Sequence, residues 1–286
     1  MVLGLGLILN LFISNLLPVQ AQTFRLDQQA PPKLELGVGL GTANFPTYPG
    51  ADERETFILP FPSVVYRGDF IRADEDGTRS PFLTSERFEL NGSFGFNVPV
   101  NESDVDVREG MGDLDAIIEV GPSLMYHLIK RGPKSPISLT SRTAIRQAFS
   151  TDLGRWEDQG QIFEQTLFAW IRVARSVTLY ASISGTWATR RYQKYFYDVA
   201  PLFETTTRSR YDSSEGNLDY AASHFGVFNL GPRWSLFGGV SFRSYTDAAN
   251  RRSPLHVRDT DGLIVLGFTY WFYRSKQTIE PRPLKL

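Results

Sequence analysis

From residue 88 onward the chain is written almost without interruption in a period of two. Phe88, Leu90, Gly92, Phe94 and Phe96 alternate with Glu89, Asn91, Ser93, Gly95 and Asn97. Ala116, Ile118, Val120, Pro122, Leu124, Tyr126 and Leu128 alternate with Ile117, Glu119, Gly121, Ser123, Met125 and His127. Successive side chains of a strand point to opposite faces, so this pattern predicts strands with two different surroundings. The stretches run about ten residues between turn signals, which is the signature of a transmembrane β-barrel. Their less apolar faces carry Gly, Ser, Thr and Asn with a few charges, as a polar lumen does. A soluble barrel or sandwich more often opposes an apolar inner face to a charged outer one. In hydrocarbon every backbone N–H and C=O must pair internally, so such a sheet has to close.

Composition agrees with a single barrel domain. The chain has 286 residues, and 21 Phe, 12 Tyr and 5 Trp would furnish aromatic girdles at two membrane interfaces. Beyond the N-terminus no apolar run approaches the roughly 20 residues of a spanning helix. The formal charge of −1 gives no bulk attraction for nucleic acid. The absence of Cys excludes disulfides, thiolate metal sites and thiol nucleophiles.

Residues 1–21 read as a secretory signal, apolar from Val2 to Leu17 and closing on Val19-Gln-Ala21. No Lys or Arg precedes the apolar run, which is what a true start lying further upstream would give. The remaining divisions are a periplasmic leader at 22–32, the barrel at 33–273 and a periplasmic tail at 274–286. Short turns at 67–69, 85–87, 130–134, 174–176 and 231–233 alternate with longer loops at 43–56, 99–114, 150–160, 191–215 and 247–260. Outer-membrane barrels keep short turns on the periplasmic side and long loops outside. With both termini periplasmic the strand number is even: twelve if 70–85 is a two-stranded hairpin, ten if the proline-containing region folds irregularly. Pro60 and Pro62 mark the strand at 57–67 as an edge or a bulge.

Three ordered stretches resemble the MipA/OmpV outer-membrane proteins. The first runs from Leu36-Gly-Val-Gly39 through Pro46-Thr-Tyr-Pro-Gly-Ala-Asp52 to Pro60-Phe-Pro-Ser-Val-Val-Tyr66. The second is Gly112-Asp-Leu-Asp-Ala-Ile-Ile-Glu-Val-Gly-Pro-Ser-Leu124. The third comprises Arg233-Trp-Ser-Leu236, Thr246-Asp-Ala-Ala-Asn250, Ser253-Pro-Leu255 and Gly267-Phe-Thr-Tyr-Trp-Phe272. Tyr195-Phe-Tyr-Asp-Val199 is similar to a family Tyr-Phe-Gly-Val, from which Tyr197 and Asp198 depart. The resemblance implies an outer-membrane barrel. One family member is regarded as a scaffold joining a lytic transglycosylase to a bifunctional murein synthase. Others are linked to osmotic response, adhesion or antibiotic susceptibility. The missing basic residues before the signal and the tail after Phe272 are departures. Gly267, Phe268, Tyr270 and Phe272 are the expected barrel-assembly signal.

The expected lumen charges are Glu35, Glu89, Glu119, Glu164, Arg142, Arg146, Arg172 and Arg243. Four of each sign suit a self-neutralising network that plugs the barrel, since a lone buried charge is costly. The other reading is a selectivity constriction. Asp113 and Asp115 with Glu119 suggest metal binding or paired-carboxylate catalysis, and Asp113 and Asp115, two apart in a strand, meet the pair spacing, but Asp at loop ends usually organises turns. His127, His224 and His256 are the only histidines, and no Gly-x-Ser-x-Gly accompanies them. Trp170, Trp187, Trp234, Tyr270, Trp271 and Phe272 are expected in the interfacial girdles. No cofactor or metal is expected. By resemblance the expected function is a non-catalytic outer-membrane scaffold, in contact with membrane lipid and not nucleic acid. By resemblance its partners are periplasmic murein hydrolases or synthases. Lys130, Arg131, Lys134, Arg274 and Lys276 form the basic periplasmic contact set. The alternative is a small-solute or osmoregulated channel.

Overall fold

A computed structural model describes residues 32–67, 72–74, 77–79, 83–85, 87–130, 135–174 and 176–278. The expected signal at 1–21, most of the leader, Arg131, Lys134 and the end of the tail lie outside the described residues.

The described chain forms one antiparallel sheet. Its strands are β1 Leu34–Pro46, β2 Arg54–Arg67, β3 Arg72–Asp74, β4 Gly77–Arg79, β5 Leu83–Thr84, β6 Phe88–Asn97 and β7 Ala116–Ile129. The series continues with β8 Ile137–Thr151, β9 Trp156–Ala174, β10 Val177–Ala188, β11 Gly216–Asn229, β12 Trp234–Ser244 and β13 Thr260–Arg274. Neighbours in sequence are neighbours in space, and β1 pairs with β13, so the first and last strands meet. Ten strands have ten residues or more, and they alternate between short turns at one end and long loops at the other. The proline-containing segment is a full strand, and the described residues that depart from a long hairpin are those of β3, β4 and β5. There the chain makes three fragments of two or three residues beside the short-turn end. Among the described residues the sheet order ends on β4 and β5, and β4 lies against β6.

The two faces separate as a lipid-facing barrel requires. Ile58, Val120, Leu124, Ile183, Val240, Ile264, Leu266 and Phe272 stand exposed on the outer face. So much exposed apolar surface would drive a soluble protein to associate, whereas hydrocarbon solvates it. Glu35, Asn91, Ser93, Glu119, Ser123, Thr140, Arg146, Thr166 and Asp219 are buried on the inner face. Inner-face glycines are covered by aromatic rings from the neighbouring strand. A Cβ on Gly39 would sit 2.2 Å from the Phe61 ring, and one on Gly267 would sit 2.3 Å from Phe237. Those rings join Phe225, Val227, Leu263 and Val265 in an apolar layer across the lumen.

Two girdle expectations are corrected. Trp170 and Trp271 are buried, packed into the interior rather than the interface. Trp271 donates its indole N–H to Ser235 Oγ at 3.0 Å, and Trp170 packs with Met125, Phe168 and Tyr180. The period of two puts Trp271 on the face opposite Tyr270 and Phe272. Trp187, Trp234 and Phe272 do face outward. The final strand also continues beyond Phe272. It runs to Arg274, and the chain stays attached through Ser275 N–H to Leu34 C=O, Lys33 N–H to Gln277 C=O and a bridge from Pro32 to Thr278.

Candidate functional site: a charge belt under a helical plug

The long loops fold inward over the barrel mouth, and one of them contains a helix. The sequence Arg190-Arg-Tyr-Gln-Lys-Tyr-Phe-Tyr197 forms α1, Arg190–Tyr197. Its Tyr192, Gln193, Phe196 and Tyr197 fall on one side at helical spacing, while Arg191 and Lys194 face out. Eight residues make a marginal helix in water, so the buried face holds it. Tyr192, Phe196 and Tyr197 pack with Tyr48, Val100, Val105, Leu114, Ile117, Ile162 and Leu218 from five other segments.

Specific bonds fix the plug. Thr189 Oγ1, just before the helix, accepts the N–H of Gln161 at 2.9 Å. Gly160 makes this approach possible, because a Cβ there would lie 2.4 Å from Thr189 Oγ1 and φ is +87°. At the other end Arg108 Nη1 donates to Phe196 C=O at 3.2 Å and Ser253 Oγ donates to Tyr197 C=O at 2.7 Å. Tyr197 donates to Pro49 C=O at 2.9 Å, and Tyr48 donates to Leu255 C=O at 2.6 Å. Burial raises the Tyr48, Tyr192 and Tyr197 hydroxyls far above their ordinary range, and burial with the nearby Asp115 charge raises Tyr195 to about 12. These phenols therefore stay neutral donors. His256 is packed edge-on to Tyr245, with ring centroids 5.4 Å apart, and against Tyr197 at 6.0 Å. Its burial lowers its pKa, and Asp259 at 3.8 Å only partly offsets this.

Beneath α1 lies a belt of charge. Arg146 Nε donates to Glu119 Oε2 at 2.8 Å, its Nη2 to Glu164 Oε2 at 3.0 Å and its Nη1 to Ser93 Oγ at 3.3 Å. Arg142 Nη2 donates to Glu164 Oε1 at 2.5 Å. Tyr192 joins plug to belt by donating to Glu119 Oε1 at 3.1 Å. Gly95 leaves room for that carboxylate, since a Cβ would lie 2.2 Å from Glu119 Oε2. A second group stands across the lumen. Arg243 is 3.6 Å from Asp219, Thr186 Oγ1 donates to Asp219 Oδ1 at 3.2 Å, and Tyr245 donates to Asp261. Between the groups is a cavity of about 210 Å³, bordered by Arg142, Arg146, Arg243, Glu119, Glu164 and Asp219 among others.

The eight expected lumen charges thus divide. Glu119, Arg142, Arg146 and Glu164 form the belt. Arg243 pairs with Asp219 instead of a glutamate. Glu35 accepts from Arg274 Nε at 2.8 Å, and Glu89 lies 3.7 Å from His127. The Arg172 backbone bonds Pro136 C=O at 2.7 Å, and its side chain is half-buried. Arg274, expected as a partner contact, is therefore occupied within the barrel, whereas Lys130 and Lys276 are exposed. Asp219 and Asp261 went unread in the sequence. Asp219 shares a period-two face with Ser223 and Phe225, which was the available signal.

The catalytic candidates are dispersed. Asp113 accepts the Glu102 N–H at 2.8 Å, and the Asp115 carbonyl accepts from Tyr195 at 3.0 Å, so both brace loops. His224 faces outward, while neighbouring Ser223 hydrogen-bonds Ser241 at 2.8 Å. His127 Nδ1 lies 3.0 Å from Thr140 Oγ1. Among the described residues no three His, Asp or Glu side chains gather as a metal site.

Comparison with known proteins places these features in context. A family model described as MltA-interacting protein MipA matches residues 38–272. No curated protein sequence matches the chain. Among solved structures, an outer membrane channel from Pseudomonas putida F1 aligns at TM-score 0.45 and 12% identity, covering 85% of this chain and 96% of the other. The translocator domain of autotransporter NalP from Neisseria meningitidis aligns at TM-score 0.45 and 9% identity, covering 86% and 91%. The Ralstonia pickettii toluene transporter TbuX aligns at TM-score 0.30 and 8% identity, covering 91% and 93%.

Proposed function

Since the chain belongs to the MltA-interacting protein MipA family and is a β-barrel of the outer membrane, we propose that it is a non-catalytic scaffold of the cell envelope. Its periplasmic rim receives a murein-remodelling enzyme, in keeping with a family described as interacting with MltA. The observation that carries this reading is the obstructed lumen. The buried helix spans the mouth, bonding Glu119 through Tyr192 and the Pro49 carbonyl through Tyr197, and it caps the Glu119–Arg146–Glu164–Arg142 belt on the β7–β9 wall, an arrangement unsuited to free solute passage along the axis. A scaffold needs only a stable wall and an exposed rim. Lys130 and Lys276 supply exposed positive charge on that rim.

The test has two arms. In planar bilayers the purified protein is expected to give no steady open current. From solubilised envelopes it is expected to retain a murein hydrolase or synthase, with less retained by Lys130→Glu/Lys276→Glu. Large steady conductance, or no murein enzyme recovered with either form, overturns the proposal. The small-solute channel is the second reading, favoured by the cavity of about 210 Å³ beside the belt.

A further inference from the structure

One buried titratable side chain takes no part in the belt or in the scaffold reading. His256 lies in the long loop between β12 and β13, at the outer mouth. Its side chain is 2% exposed, and among the described residues neither ring nitrogen has a hydrogen-bond partner. A buried polar group left in this way is a standing cost, and it is tolerable only while the ring is neutral. Three elements grip the ring. The Tyr245 ring, just past β12, meets it edge-on, and the Tyr197 ring at the end of α1 packs against it. Gly50 of the β1–β2 loop closes the third side, with φ at +86° and a Cβ position only 2.4 Å from His256 Nδ1.

The segment that carries this ring also ties the outer loops together. Tyr48 donates to Leu255 C=O at 2.6 Å, and the N–H groups of Val257 and Arg258 both donate to Gly50 C=O, at 2.8 and 2.9 Å. Ser253 Oγ donates to the Tyr197 carbonyl at 2.7 Å. Ser253–Arg258 therefore joins the β1–β2 loop to the C-terminal end of α1. His256 N–H donates to Ser253 C=O at 2.9 Å, so the ring and the Ser253 hydroxyl belong to one turn and move as one. Beyond this joint, α1 covers the belt through the Tyr192–Glu119 bond.

The groups facing the ring cannot hold a second charge. Tyr197 and Tyr245 are phenols kept neutral by burial, and the Tyr245 hydroxyl is given to Asp261. The β1–β2 loop brings the Gly50 main chain. From the ring's own loop come Asp259, at 3.8 Å, Arg251 and the Arg258 main chain. Arg251 already occupies both oxygens of Asp259, one from Nε at 2.6 Å and the other from Nη2. An imidazolium in this place is a buried charge whose nearest carboxylate is taken, an arrangement that costs more than leaving. Burial accordingly holds the His256 pKa below its ordinary value.

We propose that Ser253–Arg258 is an acid-released latch: protonation expels the His256 ring from between Tyr197, Tyr245 and Gly50, the Ser253 and Leu255 bonds break with it, and α1 lifts from the outer mouth to expose the lumen cavity. The released ring meets water and regains the ordinary value of 6.5, so the released form binds the proton more tightly than the latched one. Acid therefore favours release, by up to about tenfold for each pH unit between 6.5 and the folded value. The latch concerns the outer loops and does not depend on what the periplasmic rim binds.

The chain contains no cysteine, so a single Ser241→Cys substitution places one reactive thiol on the cavity wall. The full-length variant in liposomes is treated with a sulfonated, membrane-excluded maleimide at pH 7.5 and at pH 5. Its rate is divided at each pH by that of His256→Phe/Ser241→Cys, which cancels the slowing of the thiol itself in acid. The ratio is expected to rise about tenfold or more from pH 7.5 to pH 5, with folded mobility on gels unchanged. If His256→Phe does not fold, His256→Leu replaces it as the reference that cannot be protonated. Tyr48→Phe/Ser241→Cys lacks one latch bond and is expected to react about fivefold faster than Ser241→Cys alone at pH 7.5. Ser253→Ala takes its place if that variant does not fold. A ratio that stays flat between the two pH values overturns the proton trigger. A latch-bond variant no faster than its parent overturns the latch, and so does a rise at pH 5 that comes with loss of folded mobility, since that is unfolding of the whole barrel.

Discussion

Arg146→Met is the sharpest test of the belt. The side chain is 7% exposed and holds two carboxylates at once, Glu119 at 2.8 Å and Glu164 at 3.0 Å. Removing one partner of a buried ion pair typically costs about 3–5 kcal/mol, because the other charge stays buried. Here the two glutamates are not stranded equally. Glu164 keeps Arg142 at 2.5 Å and the Thr166 hydroxyl at 3.0 Å. Among the described residues Glu119 keeps only Tyr192, at 3.1 Å. The expected loss is therefore about 3 kcal/mol, the lower end of that range. Adding Glu119→Gln removes the stranded charge, and the double variant should recover about 2 kcal/mol of it. Urea titrations in liposomes, followed by tryptophan fluorescence and heat-modified mobility, measure both. A single-variant loss under about 1 kcal/mol with no coupling in the cycle would mean that lumen water screens the belt as it screens surface pairs, and the reasoning would fail.

Three further perturbations probe other layers. His256 has a lowered pKa because it is buried, so between its folded value and the ordinary 6.5 the unfolded chain binds the extra proton. The stability this neutral ring contributes is complete above 6.5 and drains as pH falls through the folded value. The urea midpoint should therefore drop from pH 8 to pH 5, and His256→Phe should flatten that slope; an unchanged slope refutes the assignment. Gly160→Ala should cost about 1–3 kcal/mol, since it combines strain at positive φ with a clash against Thr189. Gly110→Ala, also at positive φ but with nothing within 4 Å of its Cβ site, should cost less. In single-tryptophan variants, brominated acyl chains should quench Trp187 and Trp234 but not Trp170 or Trp271, and equal quenching of all four would contradict the inward placement.

The parts of the molecule legible in the sequence are those decided within one strand. Lipid outside and a packed polar lumen inside impose a local alternation, so the faces of β6 and β7 follow directly from residues 88–97 and 116–129. Residue type misleads where it competes with position. Trp271 looks like an interfacial aromatic, yet its parity puts it inside, and a hydrogen bond to Ser235 three dozen residues earlier makes that burial tolerable. The helix was hidden for a different reason. Eight residues show about two turns of period, and what stabilises them is packing against distant loops and strands, including Tyr48, Leu114 and Ile162. The charge pairs depend on register between strands, which no single segment encodes. Arg146 could have met any lumen glutamate, and only the β7–β8–β9 register selects Glu119 and Glu164.

Pro60 and Pro62 show how far a local signal carries. Proline in a strand announces an edge or a bulge, and the sequence offers that much. Neither a bulge nor a lost β1 ladder results, because both prolines fall on positions whose N–H would have pointed away from β1. Had either stood one residue earlier or later, it would have broken a β1–β2 bond in the middle of the wall. The spacing of two therefore keeps both prolines off the β1 ladder.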